Sequence, residues 1–300
     1  MSRREASVIE FEVLGASFCL WSAASDAVLA PFVTHIWAST GSPSFAAERV
    51  VPDGGSVLIF NLGRALSMQA AGADALMREV FFAGPTTRWA DVHYGFDATH
   101  EQVGVLFPPG GAAVYFGSHA EALRDVACES SMLPTMRLDL GRVSDALREA
   151  SSRSERTQIL ARALRLAVGS HATKPITQRI MAMMRRHPHE SVKAQAARAG
   201  WSQQHLHRVL RRESGMGTKE LQQVVRLQET LSALDQLRAK RGGDGEESLA
   251  RLASTQGFVD QAHLTNTLRA MTGLTPRGLL ALAPRAVGRV LYVPPTAALK

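Results

Sequence analysis

The first 118 residues contain short apolar runs separated by turn residues, a pattern that predicts β-strands. The runs at residues 8–13 and 17–21 alternate in part between apolar and polar positions, as half-buried strands do. The turn sequence Pro52-Asp53-Gly54-Gly55 combines the fixed φ of Pro with the freedom of Gly. Further strands are predicted at 56–60, 80–82, 103–107 and 113–116. This spacing indicates an antiparallel sheet or a cupin-like barrel.

From about residue 119 the apolar period becomes helical. Helices are predicted at 120–127, 143–150 and 156–168, followed by a linker at 169–175 and a helical part from 176 to about 282. The predicted fold class is α+β, with an N-terminal antiparallel β-sheet or barrel, then helices, then an all-α domain. The predicted domains are a sensing or oligomerisation domain at 1–172 (β-rich to about 118), a helical domain at 176–283 and a basic tail at 284–300.

The helical part contains an internal repeat, which predicts two copies of one structural unit. Val192, Ala196, Gly200 and Trp201 recur 57 residues later as Leu249, Ala253, Gly257 and Phe258. After one inserted residue the offset becomes 58. His205, Leu206, Leu210, Arg211, Gly215 and Met216 then recur as His263, Leu264, Leu268, Arg269, Gly273 and Leu274.

Each copy has the pattern of a helix-turn-helix unit. Gly200 ends the first helix, because Gly adopts the left-handed conformation at little cost. Trp201 is expected to bury its ring between the two helices, and Ser202 to cap the second helix. In the second copy Gly257 and Phe258 take the same places, and Asp260 is the expected cap. The two copies therefore predict two helix-turn-helix units.

The second helix of each copy leaves a polar face open, which makes it the candidate DNA-binding surface. The candidate residues are Gln203, Gln204, His207, Arg208 and Arg211 in the first copy, and Gln261, Ala262, Thr265, Asn266 and Arg269 in the second. An ordinary solvated surface is the alternative, because Gln and Arg form helices well on any exposed face. The repetition of one scheme favours DNA binding.

The charge distribution favours the same interpretation. Residues 175–300 hold 19 Lys+Arg and 9 Asp+Glu, a net charge of +10. Residues 1–174 hold 15 Lys+Arg and 18 Asp+Glu, a net charge of −3. One basic half beside an acidic half indicates that one part meets a polyanion, although a generic basic surface is the alternative.

The second copy resembles the signature region of the AraC/XylS family of transcription regulators. The resemblance rests on residues 248–253, 257–264 and 273–276, and the first copy matches more loosely at 196–217. It covers residues from about 176 to 282. Three stretches at 49–54, 83–85 and 105–112 resemble a regulatory domain found in one branch of the family.

The resemblance implies that two recognition helices enter successive major grooves, with a linking helix at 219–237. It implies base or groove contacts from Gln204, His207 and Arg208, and from Gln261, Ala262, Thr265 and Asn266, and phosphate contacts from Arg211 and Arg269. Two departures stand out. Asn266 replaces the family's common Arg, and residues 238–247 form a longer connection than usual, expected to be a loop.

We therefore expect a sequence-specific DNA-binding transcription regulator that responds to an effector. The expected partners are double-stranded DNA, a small molecule in the N-terminal domain, RNA polymerase if the protein activates, and a second copy as a homodimer. The pocket would be lined by Trp21, Trp37, Phe45, Trp89, Tyr94 and Phe96, unless these are core residues. With no apolar run of roughly 18 residues, a cytoplasmic protein without a membrane partner is expected.

The alternative is a bifunctional protein with an enzymatic N-terminal barrel. His35, His93 and His100 would be the candidate metal ligands, but they lack the spacing of a metal-binding barrel. Cys19 and Cys128 are isolated, and neither a nucleophile elbow nor a phosphate loop is present. We therefore expect no enzyme, no catalytic residue, no metal and no cofactor.

Overall fold

The computed structural model describes residues 8–13, 15–42, 47–70, 73–93, 99–116, 121–133, 136–169, 172–188, 190–239, 245–282 and 290–293. The strands are β1 (Val8–Val13), β2 (Ala16–Ser22), β3 (His35–Gly41), β4 (Ala47–Val50), β5 (Ser56–Asn61), β6 (Leu66–Ala70), β7 (Ala73–Met77), β8 (Val80–Ala83), β9 (Ala90–His93), β10 (His100–Phe107), β11 (Ala127–Glu129) and β12 (Val290–Val293). They form a seven-stranded sheet, in the order β1-β2-β3-β10-β5-β8-β11, and a five-stranded sheet, in the order β12-β4-β9-β6-β7.

The α-helices are α1 (Ala113–Phe116), α2 (Leu140–Glu149), α3 (Arg153–Ala167), α4 (Ile176–Arg186), α5 (Val192–Arg198), α6 (Gln203–Ser214), α7 (Thr218–Ala239), α8 (Gly245–Thr255), α9 (Gln261–Thr272) and α10 (Pro276–Ala281). The first three accompany the sheets, and the other seven form the C-terminal domain. The predicted fold class, a β-rich N-terminal part followed by an all-helical domain, is confirmed.

The seven-stranded sheet has two apolar faces, as the alternation along β10 illustrates. Val103, Val105 and Phe107 belong to a core cluster that includes residues of α2 and α3. Leu106 belongs to a second cluster, which also contains Met68 and other residues of the five-stranded sheet. Because successive strand residues point to opposite faces, one face of the sheet packs on helices and the other on the second sheet.

Two predicted elements between residues 113 and 127 are wrong. The predicted strand at 113–116 is the short helix α1, in which the amide of Phe116 donates to Ala112 O. Tyr115 and Phe116 are both buried, whereas neighbours in a strand would face opposite sides. The predicted helix at 120–127 is also absent from its described residues. Asp125 has φ 54° and its amide donates to Pro85 O, which turns the chain into β11 beside β8.

The connection predicted as a loop at 238–247 is shorter than expected. Helix α7 continues to Ala239 and α8 begins at Gly245.

The basic tail also contributes structure that its sequence did not predict. Its residues 290–293 form β12, which pairs antiparallel with β4 at the edge of the five-stranded sheet. The chain therefore returns to the N-terminal sheet after the helical domain.

The helical domain packs directly on the N-terminal domain. Val51, which has no exposed surface, lies in the apolar core of the helical domain with residues of α4, α6 and α7. Hydrogen bonds cross the interface as well: Gln178 Nε2 donates to Pro31 O at 2.6 Å, and Gln228 Nε2 donates to Pro52 O at 2.5 Å. The turn after β4 is therefore part of this interface.

Candidate DNA-binding surface

The first helix-turn-helix unit consists of α5 and α6. Gly200 adopts φ +75° between the helices, and Ser202 Oγ accepts the amide of His205 at 3.1 Å, as a helix cap does. Trp201 packs against the helical core but is half-buried rather than buried as predicted; its ring centroid lies 4.9 Å from that of His205 and 5.9 Å from the Arg179 guanidinium. The turn and cap predictions for this unit are confirmed.

The second unit, α8 and α9, repeats the same geometry. Gly257 adopts φ +72°, and Asp260 Oδ1 accepts the amide of His263 at 2.7 Å. Phe258 is buried and meets the His263 ring edge-on at 5.4 Å. Gly273 ends α9 in the left-handed conformation, as Gly215 ends α6. The two sequence copies therefore fold into equivalent units.

The apolar stripe of each second helix is fully buried, which leaves the opposite face open. Leu206 and Leu210 of α6, and Leu264 and Leu268 of α9, have no exposed surface. Of the ten candidate DNA contacts, seven are exposed: Gln203, Gln204, His207, Arg208, Ala262, Asn266 and Arg269. The other three, Arg211, Gln261 and Thr265, are half-buried. The structure thus leaves every candidate residue at least partly accessible to solvent.

Three candidate side chains are already engaged within the helical domain. Arg208 Nη2 lies 3.1 Å from His205 Nδ1, one turn earlier on α6. His207 lies against Gly217, where an added Cβ would come within 2.4 Å of its ring. Thr265 Oγ1 donates to Gln261 O at 2.9 Å. Arg208 and His207 are thus held against neighbouring residues of the protein.

Arg211 makes a contact that the sequence did not reveal. Its Nη2 lies 2.6 Å from Glu121 Oε1, a carboxylate of the N-terminal domain. A second ion pair crosses the same interface, between Arg124 Nη2 and Glu220 Oε1 at 2.6 Å. No local signal marks Glu121, because the pair joins residues 90 positions apart. The acidic N-terminal domain therefore reaches one of the predicted phosphate-binding side chains.

The aromatic residues predicted to line a pocket lie in different places. Trp21 is buried in the cluster shared with α2 and α3, so it is a core residue. Trp37 lies over Gly104 on the face between the two sheets, where a Cβ would come within 2.2 Å of its ring. Trp89 covers Arg49 at the interface with the helical domain. Phe45, Tyr94 and Phe96 lie outside the described residues.

The space between the sheets also has a polar row. It consists of Ser39, Gln102 and Asn61, which are directly opposite one another across β3, β10 and β5. The next row on the same face, two residues along each strand, is Trp37, Gly104 and Ile59. All three are buried. Asn61 Nδ2 donates to backbone carbonyls, including Arg64 O at 2.7 Å, whereas Gln102 Nε2 has no hydrogen-bond partner within the described structure.

The candidate metal ligands do not converge. His35 and His100 lie at opposite ends of β3 and β10 in register, six residues apart. Burial lowers the pKa of both imidazoles, which favours their neutral forms. Burial likewise raises the pKa of the Cys19 and Cys128 thiols. Within the described ranges, no group of three His, Cys, Asp or Glu side chains has the arrangement of a metal site.

Two equivalent helix-turn-helix units with open polar faces in one basic domain define a DNA-binding transcription regulator. Residues 195–281 match a protein family described as a helix-turn-helix domain, which spans both units. This match bears out the helix-turn-helix fold that the AraC/XylS-like motifs predicted for the helical domain. Residues 23–129 match a domain of unknown function, and no curated protein matches the chain. None of the described helices is long and apolar enough to span a bilayer.

Solved structures with a similar course of the chain have low sequence identity. ToxT from Vibrio cholerae is 8% identical, with a TM-score of 0.46, over 82% of this chain and 97% of that one. ToxT bound to an unsaturated fatty acid is 10% identical, with a TM-score of 0.43, over 80% and 92%. A predicted oxalate decarboxylase from Thermotoga maritima is 10% identical, with a TM-score of 0.27, over 36% and 96%.

Proposed function

We propose that the protein binds DNA sequence-specifically by placing α6 and α9 in successive major grooves. The observation that carries the proposal is that both helices bury one apolar stripe and leave the predicted contact residues open. Recognition helices one turn of DNA apart need a separation of about 34 Å. Helix α7, which links the units, has 22 residues, and at ~1.5 Å per residue it spans about 33 Å. We expect this activity in the cytoplasm, where chromosomal DNA is accessible.

The proposal is tested by selecting bound fragments from a random DNA library with the full chain. We expect an enriched site with two half-sites about one helical turn apart. With about 6–10 phosphate contacts, affinity should fall on the order of 10³–10⁵-fold between 50 and 200 mM salt. Enrichment of a single half-site, or affinity that is insensitive to salt, would contradict the arrangement.

Two variants separate base contacts from phosphate contacts. Arg208→Ala should cost about 1–3 kcal/mol on the selected site and relax preference at one base position. Arg269→Ala is the matched control, because it removes the same charge from an exposed position on the other recognition helix. It should weaken all sequences about equally and reduce the salt slope by about 1. A uniform loss with Arg208→Ala would make Arg208 a phosphate contact.

We also propose that the space between the two sheets receives a small effector. A buried amide such as Gln102 Nε2 is costly without a partner, and Trp37 offers an aromatic surface beside it. A ligand with an acceptor oxygen and a planar apolar part fits these two groups. Screening by thermal shift tests the idea, since a ligand that binds only the folded chain raises its melting temperature.

The variant Gln102→Leu makes the screen specific. It keeps the volume and removes the amide donor, so a ligand seated at Gln102 should lose most of its thermal shift. Ser17→Ala, at a position on β2 outside the polar row, serves as the control and should retain the shift. A hit whose effect is the same in all three proteins binds elsewhere.

A further inference from the structure

The segment of residues 47–54, which comprises β4 and the turn after it, contacts the helical domain at two separate helices. Residues 49–54 within it resemble a regulatory domain, but DNA recognition assigns the segment no role. We propose that residues 47–54, the docking segment, fix the second helix-turn-helix unit relative to the linking helix α7. The proposal extends the proposed function, because it explains how the two recognition helices keep one separation.

The contact with the second unit is made by Arg49. This side chain is 2% exposed, and its Nε and Nη2 donate to Asp91 Oδ1 and Oδ2, each at 2.7 Å. The guanidinium lies 3.9 Å from the centre of the Trp89 ring. Its remaining nitrogen, Nη1, donates to Thr272 O at 3.4 Å. Arg49 is thus held by its own sheet and directed at the end of α9.

The end of α9 is a suitable partner for a fixed cation. The last carbonyls of a helix lack intrahelical partners and carry partial negative charge, which Arg stabilises. Gly273, which ends α9, lies so close to the N-terminal domain that an added Cβ would be 2.7 Å from both Arg49 Nη1 and Trp89 Cε2. The contact therefore requires Gly at this position for space as well as for its φ of +72°.

The contact with α7 is made by the rest of the docking segment. Val51 is completely buried in the helical core, and Pro52 O accepts a hydrogen bond from Gln228 on α7. Gly54, at φ +80°, faces Leu221 and Val224 of the same helix. One strand and its following turn thus contact both the linking helix and the end of the second recognition helix.

The segment is also continuous with the space between the sheets. Val50 packs on the apolar cluster between the sheets, whereas its neighbour Arg49 points outward to α9. Backbone pairing with β9 on one side and β12 on the other holds β4 in this position. A displacement of β4 would therefore be transmitted directly to the second unit.

Hydrogen exchange of the full chain without DNA tests the docking itself. Gly273→Ala is the main variant, because it leaves the Arg49–Asp91 pair in place and puts its Cβ into Arg49 and Trp89 where they meet the end of α9. Gly200→Ala is the matched control: it imposes the same backbone strain at φ +75°, but its added Cβ would meet nothing within 4 Å. We expect faster exchange in residues 47–54 and at the end of α9 with Gly273→Ala only. Equal exchange in the docking segment of both variants would overturn the proposal.

The variant Arg49→Ala tests the same contact by removing the side chain that the sheet contributes to it. It should speed exchange in residues 268–274 and leave α6 unchanged. Because it leaves Asp91 buried without its partner, it could unfold the sheet. Faster exchange throughout the sheet would show this, and the decision would then rest on Gly273→Ala. With the sheet intact, unchanged exchange at the end of α9 contradicts docking by Arg49.

DNA spacing provides the functional measurement. The selected site is compared with a version whose half-sites are about two base pairs further apart, a fifth of a helical turn. We expect Gly273→Ala to discriminate between the two sites less than the wild type by about fivefold or more, the lower end of coupling between linked sites. Undiminished discrimination by Gly273→Ala would refute the positioning role. Failure of the wild type to bind any site would instead refute the proposed function.

Discussion

Replacing Glu121 by Gln should increase the affinity for DNA, although Glu121 lies in the N-terminal domain. In the structure Glu121 Oε1 pairs with Arg211 Nη2 at 2.6 Å. A phosphate would need the same guanidinium, so the carboxylate competes with DNA. Removing its charge while keeping its shape should leave Arg211 free to bind.

The size of the effect follows from the exposure of the pair. The side chains of Arg211 and Glu121 are 43% and 51% exposed, and exposed ion pairs contribute about 0–1 kcal/mol. The gain is therefore at most about fivefold in the dissociation constant, and it should shrink as salt screens the pair. Equilibrium titration of a labelled site at about 50 and 200 mM salt covers this range.

A double-mutant cycle separates competition from general charge repulsion. In the Arg211→Ala background, Glu121→Gln should have no effect, because the side chain it releases is absent. Glu220→Gln is the control, since it removes one negative charge from the same interface but breaks the Arg124 ion pair and leaves the Arg211 pair intact. If Glu220→Gln raises affinity as much, or if the gain survives in Arg211→Ala, the competition mechanism is wrong.

Three further predictions concern stability. Asp260→Ala removes the cap of α9 and should lower the free energy of unfolding by about 1 kcal/mol in urea titration, and Ser202→Ala should cost a similar amount at α6; no loss in either would refute the capping role. Leu268→Ala should cost about 2–5 kcal/mol, because the side chain is fully buried, and a loss under about 1 kcal/mol would contradict that burial. Burial lowers the pKa of His35 from 6.5, so the unfolded chain binds more protons as pH falls below about 6.5. The free energy of unfolding should then decline with falling pH, and His35→Gln should reduce the slope; an unchanged slope would exclude His35 as a cause.

The helix-turn-helix units could be predicted from sequence because their determinants are local. Gly200 and Gly257 stop helices, Ser202 and Asp260 cap the next ones, and the apolar period places Leu264 and its equivalents inside. Each of these effects acts within a few residues, so the order of residue types carries the information. The identities of the contacted bases are not encoded in this way, and the ten contact residues stay predictions.

The docking segment could not be predicted, because its structure depends on distant partners. The β4 sequence Ala-Glu-Arg-Val has no strong strand pattern, and its strand is defined by pairing with β9 about 40 residues away. From the sequence alone, Arg49 is expected to be an exposed cation on the surface. It is buried because Asp91 neutralises it and because α9, more than 200 residues further on, covers it. Similarly, the apolar sequence at 113–116 gave no sign of the helical turn that buries Tyr115 and Phe116 together.

The position of β12 has a consequence for how the molecule is made and handled. The strand follows the helical domain in the chain, so it is synthesised only after that whole domain. Until then, the backbone of β4 is an open edge able to pair with another chain, the condition that leads to aggregation of β-proteins. A fragment shortened after α10 would keep that edge exposed permanently. Such a fragment should associate with itself at concentrations where the full chain does not.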